Sequence, residues 1–188
     1  MSSFFGGLCR STVTLPYDRH EACEPIDGSM KKKIQSPSAH PQPSGRWLLK
    51  SEPDAFSWDM LKAKGKQGEE WSGVRNYQAR NNMRAMKLGD LGFFYHSNIG
   101  LEIVGVLKIS ALAHPDSTAS DPKWECVDVR AVTDMPRPVT LQAIKDNPKL
   151  AKMVLVNNAR LSVQPVAADE WKEICRMGGL KPGKLSEL

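Results

Sequence analysis

The feature that most constrains this chain is a break in composition at residue 45. Residues 35–45 read QSPSAHPQPSG, with three prolines, three serines and no large apolar side chain. Such a segment cannot bury enough surface to offset the entropy lost on ordering. Residues 1–45 are therefore expected to be a disordered tail and linker, and residues 46–188 the folded domain. Met1 to Leu8 lacks the basic start and apolar run of a secretory signal, and Asp18, Glu21, Glu24 and Asp27 weigh against a mitochondrial presequence. Lys31-Lys32-Lys33 reads as a solvated linker rather than a nuclear address, and Met30 offers an alternative start.

Of the 188 residues, 40% are apolar and 25% charged, as in an ordinary globular protein with room for one core. The net charge of +5 is compatible with a polyanionic partner without requiring one. No apolar run is long enough to span a bilayer, so no membrane partner is expected. Cys9, Cys23, Cys126 and Cys175 show no CxxC or Cys/His spacing. Neither a zinc site nor a disulfide framework is expected, and no other metal or cofactor is. Reduced thiols fit a bacterial cytoplasm, or a nuclear or organellar setting in a eukaryote.

Beyond the break the pattern becomes dense. Arg46–Lys50 reads as a strand stopped at Ser51-Glu52-Pro53. Ser57 can cap a helix running to Lys64, with Gly65 as its stop. Lys66–Gly73 is a polar loop carrying Trp71. Asn76–Lys87 has helical spacing at Tyr77, Ala79, Met83 and Met86, closed by Gly89. Asp90–Ser97 and Glu102–Ala111 read as strands joined by an Asn98-Ile99-Gly100 turn. Lys123–Val132 is a further strand, Thr140 opens a short helix, Arg160–Val166 is the last strand, and a final helix runs from Ala168 to Met177. Hairpins with helices between them predict an α+β domain built on a small, mostly antiparallel β-barrel with inserted short helices.

Trp71 stands in a Gly-flanked polar loop beside the amides Asn76, Gln78 and Asn81. An aromatic platform next to amides that both donate and accept is what reading a single base needs. The same residues could plug a barrel end and cap a helix. Trp47 is assigned to the core, Trp58 and Trp171 to packing, and Trp124 stays open between core and pocket wall. Arg80, Arg84 and Lys87 share a helical stripe that could hold phosphates or be a solvated face. Ser162 and Gln164 stay open between a lining and a structural role. Catalysis is not expected: His96 and Ser97 are adjacent on a strand and point to opposite faces, Glu52 has no partner carboxylate, and no phosphate-binding, dinucleotide or metal motif occurs.

The blocks WLLKSEP (47–53), W-x-GVRNYQARN (71–81), FFYHS (93–97), IVG (103–105), DPKW (121–124), VDV (127–129) and RLSVQP (160–165) resemble, in this order, the EVE domain family, and within it the thymocyte nuclear protein-like group. The resemblance runs from Arg46 to about Gly179. It implies a PUA-like fold and a non-enzymatic module that binds DNA or RNA carrying a modified base, a modified cytosine or a similar mark. It turns the choice at Trp71 towards a pocket. It also extends the expected ligand contacts from Trp71, Asn76, Gln78 and Asn81 to Lys50, Ser51, Glu52, Val74, Arg75, Tyr77, His96, Ser97 and Trp124; the helical spacing of the stripe, beside such a pocket, places Arg80 and Arg84 on flanking phosphates. The turn after Ser97 and the loop from His114 to Asp121 are more compact than in the nuclear members. A structure-selective RNA-binding domain and a nucleotide-processing enzyme using Lys50, Glu52 or His96 are the alternatives.

Overall fold

The computed structural model describes residues 45–181, so the expectation for the tail lies outside the described residues, Gly45 apart. Among these residues six strands form one mixed sheet in the order β2-β5-β4-β3-β1-β6. β1 (Arg46–Ser51) runs parallel to β3 (Leu91–His96) and antiparallel to β6 (Val163–Pro165). The long strands β4 (Glu102–Pro115) and β5 (Glu125–Thr140) pair antiparallel, and β2 (Glu69–Glu70) pairs with β5. The α+β class and the mostly antiparallel pairing follow the expectation. Ring closure does not, because the ladder ends in β2 on one side and β6 on the other.

Alternation along the strands builds a core on each face. Trp47, Leu49, Phe94, Leu107, Val127 and Val129 point to one side, where α2 (Tyr77–Arg84) adds Ala79 and Met83. Leu48, Phe93, Ile103 and Val106 point to the other, against α3 (Leu141–Lys145) and α5 (Ala168–Gly178). Trp171 of α5 stacks on Phe93 with centroids 3.9 Å apart. Trp47 is buried and donates its indole N–H to Asp90 at 2.9 Å.

The helix starts stand where their capping residues predict. Ser57, Asn76 and Thr140 each accept a hydrogen bond from the backbone three residues on, opening α1 (Trp58–Ala63), α2 and α3. The strand ends differ more. β5 passes Val132 and runs through Pro136 and Pro138, tolerated because β2 covers only residues 128 and 129 and leaves the far side of the strand unpaired. The two-residue β2, a 3-10 turn at Pro148–Leu150 and the four-residue α4 (Val154–Asn157) are too short to leave a period in the sequence. Gly68 (φ +72°) lets β2 dock: a Cβ there would lie 2.5 Å from the Val129 carbonyl.

Candidate functional site

The end of β1 and the Trp71–Arg75 loop, which Trp71 ties to β5 by donating its backbone N–H to the Val127 carbonyl at 2.8 Å, line a cavity of about 410 Å³. Lys50, Ser51 and Glu52 come from the strand end, Phe56 from the turn before α1, Glu69 and Glu70 from β2, and Ser162 from the approach to β6. Trp71, Val74 and Arg75 complete the wall. Of the expected contacts, Lys50, Ser51, Glu52, Trp71, Val74 and Arg75 are thus brought together. Asn76, Tyr77, Gln78, Asn81, His96, Ser97 and Trp124 lie outside that lining.

Trp71 corrects one expectation. It is only 5% exposed rather than an open loop platform. Its ring stands edge-on to Phe94 (5.4 Å, 85°) and Phe56 (6.1 Å, 79°), so it is a fixed wall held by the core. Asn76 corrects another. Its side-chain oxygen accepts from the Ala79 N–H at 3.0 Å, which makes it the N-cap of α2. The amide that ties α2 to the sheet is Asn82, donating to the Val163 carbonyl at 2.8 Å, a residue the sequence reading passed over.

The polar groups of the cavity differ in how far they are committed. The Lys50 ammonium donates to the Ala159 carbonyl at 2.8 Å and lies 5.7 Å from the Tyr95 ring. Burial lowers its pKa to about 8. The Ser51 hydroxyl donates to the Phe56 carbonyl (2.7 Å), Glu70 accepts from Ser117 (2.5 Å) and Glu69 pairs with Lys64 (2.5 Å). Ser162 contributes to the lining, whereas Gln164 is structural: its buried amide donates to the Leu161 carbonyl at 2.6 Å.

The loop that carries Trp71 is held by Asp116, which no motif marked. Its buried carboxylate accepts from the Gly73 N–H (2.9 Å), from Arg75 (2.6 Å) and from both the backbone and hydroxyl of Thr118 (2.8 and 2.6 Å). Burial works against its ionisation, but the bonds from Thr118, Arg75 and Gly73 outweigh burial and bring its pKa down to about 2. The only signal in the sequence was the Asp116-Ser117-Thr118 run, a local turn pattern.

The basic stripe divides. Arg84 makes a bidentate pair with Glu125 (2.5 and 2.9 Å), so the structure already supplies the anion expected from a phosphate. Arg80 makes no ion pair among the described residues; it donates to the Lys123 carbonyl and to Asn81, both at 3.0 Å. His96 accepts the Trp58 N–H on Nε2 (3.2 Å) and burial lowers its pKa, leaving a neutral, engaged imidazole with no link to Ser97.

The fold does create a Cys/His pair that spacing hid. Cys126 Sγ lies 3.8 Å from both ring nitrogens of His114, and Glu70 joins them within 4.8 Å. Both ring nitrogens are engaged, Nε2 by Asp128 (2.9 Å) and Nδ1 by the Pro115 carbonyl (3.0 Å), while burial and the acids Glu70, Asp116 and Asp128 push the Cys126 thiol up to about 12. As arranged, the cluster is an internally bonded one. No helix among the described residues is long and apolar enough to cross a membrane.

Fold and cavity together define an α+β domain with an open mixed sheet, in which a cavity with an aromatic wall and charged groups of both signs lies at the strand ends. The family model of the EVE domain matches residues 45–177, and the chain belongs to that family. Thymocyte nuclear protein 1 of Mus musculus is 40% identical over 171 residues, spanning 74% of this chain and 76% of the relative. A crystal structure of a protein from Agrobacterium tumefaciens shares 68% identity with a TM-score of 0.71 and covers 72% of this chain and 93% of that one. The human THYN1 protein in complex with DNA containing 5-methylcytosine shares 38% identity at a TM-score of 0.67, covering 73% and 99%.

Proposed function

We propose that this chain is a non-enzymatic module that binds nucleic acid carrying a modified base, with that base held against Trp71 in the cavity. The observation that carries the reading is the cavity's composition. A volume of about 410 Å³ is within the range of small-ligand sites. Phe56, Trp71 and Val74 offer apolar surface, Glu52 and Glu70 offer acceptors, and Lys50 and Arg75 offer donors. A cytosine presents one amino donor and ring acceptors on its pairing edge, which match such a set, and a substituent on C5 would meet the apolar wall. The human relative's complex with 5-methylcytosine-containing DNA supports the same choice. The same proposal takes the fold as PUA-like, with the edge strand β2 of the open sheet lining the cavity.

Binding to otherwise identical oligonucleotides, with and without the modified cytosine, as DNA and as RNA, tests it. Preference for the modified strand in one sequence is expected. Equal binding with and without the mark would sink the reading in favour of a structure-selective RNA binder. Turnover of the modified nucleoside would instead expose an enzyme working through Lys50, Glu52 or His96.

A further inference from the structure

Outside the cavity, Tyr77 at the start of α2 is 56% exposed, although its ring is not loose. It stacks on Trp124, just before β5, with centroids 5.0 Å apart and planes 30° from parallel. Three cations surround the pair: the Arg80 guanidinium 5.1 Å from the Tyr77 ring, and Arg75 and Lys123 at 5.8 and 5.7 Å from the Trp124 ring. Arg75 is held by Asp116 and Lys123 by Asp121. Arg80 alone of the three makes no ion pair among the described residues, and its buried Nε has no hydrogen-bond partner. Trp124 stacks on Tyr77 and the Arg80 guanidinium lies over the same ring, yet Tyr77 keeps more than half of its surface in solvent, beside a cation without a carboxylate.

Arg75 joins this surface to the cavity, because the same side chain lines the cavity and lies on the Trp124 ring. We propose that Tyr77 and Trp124 form a second stacking site, for the base next to the one in the cavity, on a locally unpaired nucleic-acid strand. The proposal rests on the cavity being a base site. A flat aromatic face accepts any base, so it adds affinity without adding sequence preference. Inside a duplex both faces of a base are covered by its neighbours. An exposed tyrosine can therefore take only a base released from the stack, and the occupant is a single-stranded segment rather than intact duplex. Arg80 stands where the phosphate between the two bases would need a counter-charge.

The test uses the full chain and three probes: 5-methyl-2′-deoxycytidine alone, a short single-stranded DNA with one central 5-methylcytosine, and the same strand with abasic flanks. The nucleoside, followed by ligand-observed NMR, should bind wild type and Tyr77→Ala equally. Single-strand affinity should fall about 5- to 150-fold in Tyr77→Ala and be kept in Tyr77→Phe. Abasic flanks should cost wild type the same factor and Tyr77→Ala almost nothing. If the nucleoside binds but Tyr77→Ala holds the intact strand within about twofold of wild type, this inference is wrong and the cavity reading stands. So too if abasic flanks weaken both proteins equally. If the nucleoside does not bind wild type, the cavity reading fails and takes this one with it. Equal thermal midpoints of the three proteins show that the exposed ring was not needed for folding.

Discussion

Two residues hold the cavity open, and they act in different ways. Trp71 contributes area: its ring is packed on Phe56 and Phe94, so Trp71→Ala should lower stability by about 3–5 kcal/mol as well as weaken ligand binding. Denaturant unfolding separates the two effects, and a variant as stable as the parent would show that the ring is not a core member. Asp116 contributes charge and acceptors. Its folded pKa of about 2 lies below its ordinary 3.8, so the ionised carboxylate favours the folded state. That stability is fully present above pH 3.8 and is lost as pH falls through about 2. Asp116→Asn keeps the shape but removes the charge. The gap in thermal midpoint between wild type and Asp116→Asn should therefore be constant from pH 7 to 5 and close as pH approaches 2. A gap that stays constant down to pH 2 would mean that Asp116 is not ionised in the fold.

At the scale of elements, the packing of α1 on the sheet turns on one glycine. Trp58 lies flat on β4 at Gly105 and donates its indole N–H to Asp134 at 2.6 Å. A Cβ at Gly105 would sit 2.2 Å from that ring. Gly105→Ala should destabilise the fold by about 1–3 kcal/mol, and Trp58→Leu in the same chain should recover part of the loss. Additive losses in the double variant would show that the ring and the glycine do not meet. Elements with a local cause were legible from sequence: Ser57 and Thr140 set helix starts by capping, and the apolar runs at Trp47–Leu49 and Phe93–Tyr95 marked strands, although which of their residues faces which core became visible only in the sheet. Those set by distant partners were not. β2 exists because Val129 receives Gly68 closely, and Glu70 enters the cavity only through that pairing. The strand-end half of the site, Lys50 to Glu52, was legible through the family blocks. The placing of Tyr77 and Trp124 outside the cavity was not, because only tertiary pairing decides which way an amphipathic turn faces.

For the molecule as a whole, charge is balanced locally more than the net value of +5 suggests. Along the face that α2 shares with the start of β5, Arg84 is paired with Glu125, Lys123 with Asp121 and Arg75 with Asp116, which leaves Arg80 as the cation with least internal compensation. A phosphate gains little from an arginine that must first leave a carboxylate. Binding of a modified single strand should therefore depend on salt far less steeply than the count of basic residues implies. In a plot of log affinity against log salt, Arg80→Gln should reduce the slope by about one ion, whatever the sequence of the strand. Arg84→Gln should leave the slope unchanged, and because its pair is half-exposed and solvent-screened it should cost little stability. If Arg84→Gln flattens the slope and Arg80→Gln does not, the strand crosses α2 on the other side and Glu125 gives up its partner on binding. A slope that neither variant changes would place the phosphates elsewhere, with the basic groove of Lys62, Lys66 and Arg130 the next surface to vary.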